Sequence, residues 1–237
     1  ITPAKINIPS LLRVESEVID KLISEYQKHS IDFALLDITT DIGVPTVLTA
    51  VKGHISNRPS LFLAPRSDLD ITKAIIASLT DGLRAGYYPE ILLEQVSAFA
   101  AKLDPHHYIE NIEERGIYWS DPCHLSDAQF LFSGESKDIV IDRKIAGGSW
   151  RNKLNRLKNI LSDMNLEAFY VDVTSASARE FGLTVVMTLI PDLYPLYLSE
   201  HFKYLGHRRL YEAPVGMNLF SQPRKEAEIN IVPHPML

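Results

Sequence analysis

The sequence contains a single cysteine, Cys123, among 237 residues. One cysteine cannot form an internal disulfide, and the residues around it show no CxxC or Cys/His spacing of the kind that binds a metal. A chain without disulfides is typical of a reducing compartment, so we expect a cytoplasmic protein.

Long apolar runs are also missing. No stretch of about 18 apolar residues occurs, although a membrane-spanning helix would need one. The N-terminus lacks the charged and then apolar layout of a signal peptide. We therefore expect neither membrane association nor secretion. The chain opens at Ile1 without methionine, which leads us to expect a piece of a longer polypeptide.

A concentrated basic segment is also missing. The formal net charge is −6, and basic residues gather only in short pieces such as 151–153 and 156–158. Nucleic-acid binding requires a basic patch or stripe, so we predict no nucleic-acid partner. Apolar residues make up 46% of the chain and charged residues 23%, which is ordinary globular usage and excludes a disordered or fibrous chain.

The motifs of several common enzyme classes are absent. Neither GxxxxGK[ST] nor GxSxG occurs, and the Gly-Gly-Ser of 147–149 is read as the start of a helix. His106, His107, His201 and His207 lack the i, i+4 spacing and the acidic ligand of a helical zinc site. We therefore predict no metal site built from protein side chains alone.

What the sequence does contain is a helix followed by two strands. Apolar residues recur at helical spacing over 16–27, which predicts an amphipathic helix. Short apolar runs at 33–39 and 44–51 predict two strands, and Asp-Ile-Gly at 41–43 predicts the turn between them.

The same pattern recurs about 135 residues later. A predicted helix at 150–166 precedes strand-like runs at 169–174 and 182–190. The sequence therefore predicts an α+β fold with two related helix-strand-strand-helix units, whose sheets are covered by helices.

A matching Asp-x-Thr motif ends the first strand of each unit, as Asp37-x-Thr39 and Asp172-x-Thr174. One reading is that these side chains accept bonds from backbone donors in the following turn. The other is that two related turns present binding groups to one cleft. The sequence leaves both open.

After the first pair of strands we predict a strand at 60–64 and helices at 70–84 and 90–103, with Asp68 or Asp70 capping the helix at 70–84. The more irregular stretch after them is read as a connector. The predicted division is 1–103 for the first unit, 104–149 for the connector, 150–222 for the second unit and 223–237 for a tail.

Aromatic residues cluster after Pro191, at Tyr194, Tyr197, Phe202 and Tyr204. Such clusters more often lie in a core or an interface than on a base-stacking platform. We therefore expect these side chains to be buried.

The order of these segments resembles the C-terminal half of a YcaO domain. The resemblance covers roughly 200 residues and rests on short motifs taken in order. The motifs are Asp37-x-Thr39 with Gly-Val-Pro at 43–45, Ser-Leu-Thr-Asp at 78–81, and the runs at 169–174 and 182–186, with Pro191 after the last strand.

Two later segments are more specific. Leu-Gly-His-Arg-Arg-Leu-Tyr at 205–211, with Pro214, and the ending Asn-Ile-Val-Pro-His-Pro-Met-Leu at 230–237 resemble the azoline-forming branch of that family. The resemblance implies an ATP-dependent cyclodehydratase that uses Mg²⁺ and acts on a ribosomally made precursor peptide. A leader-peptide-binding partner protein and a homodimer are the further partners that it implies.

The resemblance also implies a nucleotide-binding helix that reads Arg-x-x-x-Glu followed by Gln. The aligned residues are Ala77, Asp81 and Arg84. Asp81 keeps the carboxylate, but Ala77 removes a guanidinium that would pair with phosphate. We predict Asp81 and Arg84 as nucleotide-binding residues, with Arg84 compensating from one turn away.

In the azoline-forming branch the proline-rich terminus projects toward the active site. By that similarity Pro233, Pro235 and the Leu237 carboxylate are candidate catalytic residues, although the family's terminal proline is Leu237 here. Proline stiffens a tail and lowers the entropy cost of holding its end in place. The alternative is a packing strap without chemistry.

The resemblance places most ATP-gripping residues in the N-terminal half of the domain, so we expect this chain alone to have little or no activity. An alternative is a degenerate scaffold that binds a peptide or a partner enzyme without catalysis. A third reading is conversion of an amide to a thioamide, which uses the same activation with an external sulfur donor.

Overall fold

The computed structural model describes residues 4–7, 17–53, 60–84, 98, 109–138 and 148–236. The chain forms two compact units. The first comprises 1–147, 197–203 and 225–237, and the second comprises 148–196 and 204–224.

The first unit contains a five-stranded sheet in the order β4-β3-β2-β1-β5. Strands β1 to β4 pair antiparallel with their neighbours, and β5 runs parallel to β1. The strands are β1 Ala4–Ile6, β2 Asp32–Asp37, β3 Thr46–Lys52, β4 Leu61–Ser67 and β5 Ser136–Lys137.

Helices pack on both faces of this sheet. They are α1 Glu17–Lys28, α2 Ile71–Leu83, α3 Ile112–Ser120 and α4 Phe130–Ser133, together with 3₁₀ helices Pro122–Ala128, Glu200–Phe202 and Glu226–Glu228. Successive residues of a strand point to opposite faces, so Leu35 packs against α1 and α2 whereas Leu36 packs in a second cluster with Trp119 of α3 and Leu131 of α4. The first sheet is therefore the middle layer of three.

The contact between α1, α2 and β3 depends on a glycine. The hydroxyl of Tyr26 donates to the carbonyl of Leu79 at 2.7 Å, and this bond brings α1 and α2 close together. A Cβ on Gly82 would lie 2.2 Å from the Tyr26 hydroxyl and 2.8 Å from Cγ2 of Thr49. Only a residue without a side chain fits this approach.

The predicted elements of the first unit agree with the structure to within one or two residues at most ends. Asp70 caps α2, because its side chain accepts from the backbone N–H of Thr72 at 3.0 Å, and Asp68 accepts from Asp70 at 2.8 Å. The predicted helix at 90–103 lies outside the described residues, apart from the single residue at 98.

The stretch 104–149 is not the irregular connector that the sequence suggested. Its described part contains α3, α4 and β5, and Trp119 and Leu131 are buried against the first sheet. The pattern misled because α3 is short and its buried face carries Arg115, which a count of apolar residues treats as solvent-facing.

The second unit contains α5 Trp150–Asp163, β6 Phe169–Asp172, α6 Ala176–Glu180, β7 Val186–Leu189 and α7 Arg209–Gly216. Strands β6 and β7 form a two-stranded antiparallel sheet whose residues are all exposed, and no residue of α5 is buried.

The expected burial of the aromatic cluster is wrong for Phe202 and Tyr204, which are 69% and 52% exposed.

The two units nevertheless repeat the same local geometry. A left-handed residue follows the helix in each copy, Ser30 with φ 51° and Asn165 with φ 55°. A left-handed glycine then lies between the strands, Gly43 with φ 72° and Gly182 with φ 67°. Glycine adopts this conformation without steric cost. Among the described residues, no helix has the length and apolar character needed to cross a membrane.

Candidate functional site

The C-terminal tail is held by side chains that donate to its backbone carbonyls. The indole N–H of Trp119 donates to the carbonyl of Pro233 at 3.2 Å, and Nη1 of Arg115 donates to the carbonyl of His234 at 2.8 Å. The tail thus runs from Trp119 toward Arg115, against the direction of α3. Pro235 is buried, and Leu237 lies outside the described residues.

Arg115 and Glu200 form a buried ion pair beside the tail. Their side chains are 0% and 2% exposed, and Nη1 of Arg115 lies 2.8 Å from Oε1 of Glu200. The second oxygen of Glu200 lies 3.0 Å from Nζ of Lys203. Lys203 in turn donates to the carbonyl of Ile231 at 3.3 Å. One carboxylate therefore stands between two cations, each of which contacts the tail.

His234 fixes the tail through its ring. Nε2 lies 2.7 Å from the carbonyl of Tyr197, which can only accept, and Nδ1 accepts from the backbone N–H of Met236 at 3.4 Å. This pattern requires a neutral ring with its proton on Nε2. Burial lowers the pKa of His234, and the positive charge of Arg115 acts in the same direction. The bonds and the lowered pKa both favour the neutral imidazole.

The predicted nucleotide-binding residues lie together with an arginine that the sequence did not indicate. Asp81 forms ion pairs with Arg84, at 3.2 Å, and with Arg66 at the end of β4. The Asp81 side chain is 14% exposed, whereas Arg66 and Arg84 are 48% and 71% exposed. Arg66 thus brings a second guanidinium, from β4, to Asp81, and the cluster of two arginines and one aspartate carries one net positive charge.

The Asp81 cluster and the tail are not neighbours. Helix α2, which carries Asp81, packs on one face of the first sheet, whereas Val232 of the tail packs against the cluster of Trp119 on the other. Residues on opposite faces of a sheet can meet only at its ends or edges. Arg66, next to the last residue of β4, stands at such an end.

The two Asp-x-Thr motifs make the same hydrogen bonds in the two units. The backbone N–H of the threonine donates to the aspartate at 2.9 Å in both copies, Thr39 to Asp37 and Thr174 to Asp172. The threonine hydroxyl then accepts from the start of the returning chain, 3.1 Å for Thr39 and 2.8 Å for Thr174. These contacts confirm the reading of the motifs as turn-stabilising.

Other candidate groups lack the geometry for chemistry. Cys123 is exposed in the 3₁₀ helix after α3, and its hydrogen bond with Asp121 raises the thiol pKa, which disfavours the nucleophilic thiolate. Ser149 caps α5 by accepting from Asn152, as expected for a helix start. Within the described part of the chain, no three His, Cys, Asp or Glu side chains lie close enough to hold a metal ion.

Sequence reasoning missed Arg115, Trp119, Glu200 and Lys203. A local signal did exist for α3, since Asn111 caps it by accepting from the N–H of Glu114 at 2.8 Å, three residues later. The Asn-x-x-Glu spacing of 111–114 is that of a capping box, although the Glu114 carboxylate accepts from the backbone N–H of Glu110, one residue before the cap, at 2.8 Å. No local signal identifies Glu200, because it lies 85 residues from its partner.

Comparison with solved structures shows a common fold. A heterocyclase in complex with substrate and cofactor superposes over 100% of this chain and 28% of its own, with a TM-score of 0.69 and 20% identity. The heterocyclase TruD matches over 100% of this chain and 29% of its own, with a TM-score of 0.65 and 20% identity. The chain thus spans less than a third of either heterocyclase.

Sequence comparison agrees with the structural one. An uncharacterized protein of Methanothermobacter thermautotrophicus is 24% identical over 183 residues, which cover 76% of this chain and 43% of that protein. The family described as YcaO cyclodehydratase, ATP- and Mg²⁺-binding, matches residues 2–194. Because this match covers most of the chain, the chain belongs to the YcaO family.

Proposed function

We propose that this chain is the C-terminal portion of an ATP-dependent cyclodehydratase that forms azolines in ribosomally made peptides. The observation that carries the proposal is the tail, whose carbonyls at Pro233 and His234 are held by buried donors. A mobile tail could not present a group at a fixed place, and this tail is held at Pro233 and His234. Membership of the YcaO family and the fold shared with two heterocyclases support the same reaction class.

In the proposed reaction, a Cys, Ser or Thr side chain of the bound peptide adds to the preceding backbone carbonyl. The carbonyl oxygen then leaves as phosphate, with ATP as the phosphoryl donor, and a thiazoline or oxazoline remains. Catalysis of phosphoryl transfer consists mainly of positioning and electrostatic stabilisation. In this portion of the protein, the positioning would come from the tail that ends in Pro233, Pro235 and Leu237.

The Asp81 cluster fits part of the nucleotide site. Arg66 and Arg84 present half-exposed and exposed guanidinium groups, whose planar forks match phosphate oxygens. A single carboxylate, Asp81, stands between them, and the described residues offer no set of ligands for Mg²⁺. We propose a phosphate contact here, and the family resemblance implies that the Mg²⁺ ligands lie mainly in the N-terminal half of the domain.

The partners follow from the same proposal. A precursor peptide would be the substrate, a leader-binding protein would deliver it, and a homodimer is a further proposal, all in the cytoplasm. The second unit supports a protein partner, since one face of its two-stranded sheet carries four exposed apolar side chains, Phe169 (51%), Val171 (54%), Met187 (58%) and Leu189 (61%). Apolar surface of this extent marks interaction sites in soluble proteins.

A non-catalytic scaffold is the second candidate function. The observation in its favour is that Ala77 stands where a guanidinium is expected, while Arg66 and Arg84 are already engaged by Asp81. Such a protein would bind a peptide or an enzyme without consuming ATP.

The two candidates differ in what the complete protein does with Mg²⁺-ATP and a Cys-containing precursor peptide. We expect loss of one water per ring, read by mass spectrometry, with one phosphate released per ring. Peptide binding without nucleotide binding would favour the scaffold. An Arg84→Ala variant, titrated with a phosphate analogue and compared with Arg208→Ala, tests the proposed phosphate contact, which is wrong if the affinity is unchanged.

A further inference from the structure

The side chain of Arg115 is fully buried in the first unit, which is rare for an arginine. It projects from α3 and makes three contacts with groups far away in the sequence. Nη1 contacts the carboxylate of Glu200 and the carbonyl of His234, each at 2.8 Å, and Nη2 donates to the carbonyl of Leu198 at 2.6 Å. One planar guanidinium thus ties α3 to the segment 197–203 and to the tail.

Stability alone does not account for this arrangement. Desolvating two charges costs several kcal/mol, and well-packed apolar residues in place of a buried ion pair are often neutral or stabilising. An apolar side chain could fill the space of Arg115, but it would leave the carbonyl of His234 without its donor. What the arginine adds is a fixed position for that carbonyl.

Glu200 orients both cations that contact the tail. Its two carboxylate oxygens lie at 2.8 Å from Arg115 and 3.0 Å from Lys203, and these reach the carbonyls of His234 and Ile231. With Trp119 at Pro233, three side chains donate to three carbonyls within four residues of tail. We call Arg115, Trp119, Glu200 and Lys203 the tail clamp.

The composition of the tail suits a clamp made of donors. Pro233 and Pro235 have no backbone N–H, so this stretch presents more acceptors than donors. Proline also narrows the conformations that the free tail can adopt, which lowers the entropy cost of docking it. The clamp therefore binds the backbone carbonyls of the tail and determines the path of the tail.

We infer that Arg115, oriented by Glu200, is a positioning residue for azoline formation, which it serves by holding the tail in register. This inference rests on the proposed function. Neither residue touches the substrate in this account, and both act through the tail. A positional error of about 1 Å in a reacting group can cost on the order of 100-fold in rate, so even a partial release of the tail should be measurable.

The test uses the complete protein and compares Arg115→Met with Arg208→Met. Arg208 lies in the second unit, and its side chain is 68% exposed. Hydrogen exchange over 229–236 reports on docking, and steady-state kinetics report on cyclisation. We expect Arg115→Met to increase exchange in the tail and to lower kcat by about 10- to 100-fold with KM for the peptide unchanged. Arg208→Met should alter neither.

Two further variants separate positioning from general destabilisation. If Arg115→Met does not fold, the double variant Arg115→Met/Glu200→Leu removes both charges, and the same results are expected of it. In a protein that lacks residues 233–237, Arg115→Met should lower kcat no further, because its effect passes through the tail. A merely structural role would lower kcat in both backgrounds.

The inference is overturned if the tail stays protected in Arg115→Met, or if the tail is released and kcat is unchanged. A different result would contradict the proposed function itself, namely that the wild-type complete protein forms no azoline. In that case exchange still decides whether Arg115 holds the tail, since it does not depend on turnover.

Discussion

Leu36 and Val171 occupy equivalent positions in the two copies of the helix-strand-strand repeat, and their surroundings are opposite. Leu36 is 0% exposed on the face of the first sheet that α3 covers, whereas Val171 is 54% exposed on a two-stranded sheet. The turns around them nevertheless make the same hydrogen bonds. The sequence of each copy therefore determines its local turn geometry, but the burial of its strands depends on which elements pack against them.

The largest expected effect comes from truncating these two residues. Leu36→Ala should destabilise the first unit by about 2–5 kcal/mol, because it removes packed atoms and leaves a cavity. Val171→Ala should cost less than about 0.5 kcal/mol, as is usual for an exposed position. Chemical denaturation of the two variants checks the difference. Equal losses would mean that the second sheet is buried in solution.

Glycine gives a second contrast between the units. Gly82→Ala should destabilise the protein by about 1–3 kcal/mol, because its Cβ would collide with Tyr26 and Thr49. Gly216→Ala at the end of α7 meets nothing within 4 Å, so the better helix propensity should stabilise it by up to about 1 kcal/mol. Thermal melts of both variants measure the signs. A stabilising Gly82→Ala would contradict the close packing of α1 and α2.

The turns should respond alike in spite of their different surroundings. Thr39→Val and Thr174→Val each remove the hydroxyl that accepts from the returning chain. Each should cost about 0.5–1.5 kcal/mol, the usual net value of one hydrogen bond. Denaturation of the single and double variants would reveal any coupling between the turns. A loss confined to one unit would argue against a functionless, local role for both motifs.

The smallest effect concerns pH and is confined to the first unit. Since the pKa of His234 is lowered below 6.5 by burial, the unfolded tail binds more protons than the docked tail. Docking stability is therefore fully present above about pH 6.5 and is lost as the pH falls through the lowered pKa. The NMR signal of the Met236 amide, which donates to Nδ1, should follow this change. His234→Gln should abolish the dependence, and a persistent one would assign it to another group.

Sequence patterns predicted α1, β2, β3 and α2 well because periodic apolar residues and caps such as Asp70 are local features. They failed for α3, whose buried face combines Trp119 with a charged Arg115. The partners of that charge lie 83 to 119 residues away, so no local pattern could indicate its burial.

The candidate site was predicted in part for the same reason. The family resemblance pointed to Pro233, Pro235 and Leu237, and to Asp81 with Arg84. It did not indicate which side chains hold the tail, nor that Arg66 of β4 forms an ion pair with Asp81 of α2. These contacts arise from tertiary packing. The prediction that Phe202 and Tyr204 are buried was wrong, because aromatic composition alone does not reveal what covers a side chain.

The central claim is that the tail belongs to the reaction and does more than pack. The most direct measurement is azoline formation by the complete protein with and without residues 233–237, followed by mass spectrometry at saturating peptide and Mg²⁺-ATP. We expect the deletion to slow loss of water from the peptide strongly, to a residual but measurable rate, while peptide binding remains. Unchanged cyclisation after the deletion would contradict it and would reduce the tail to a packing strap.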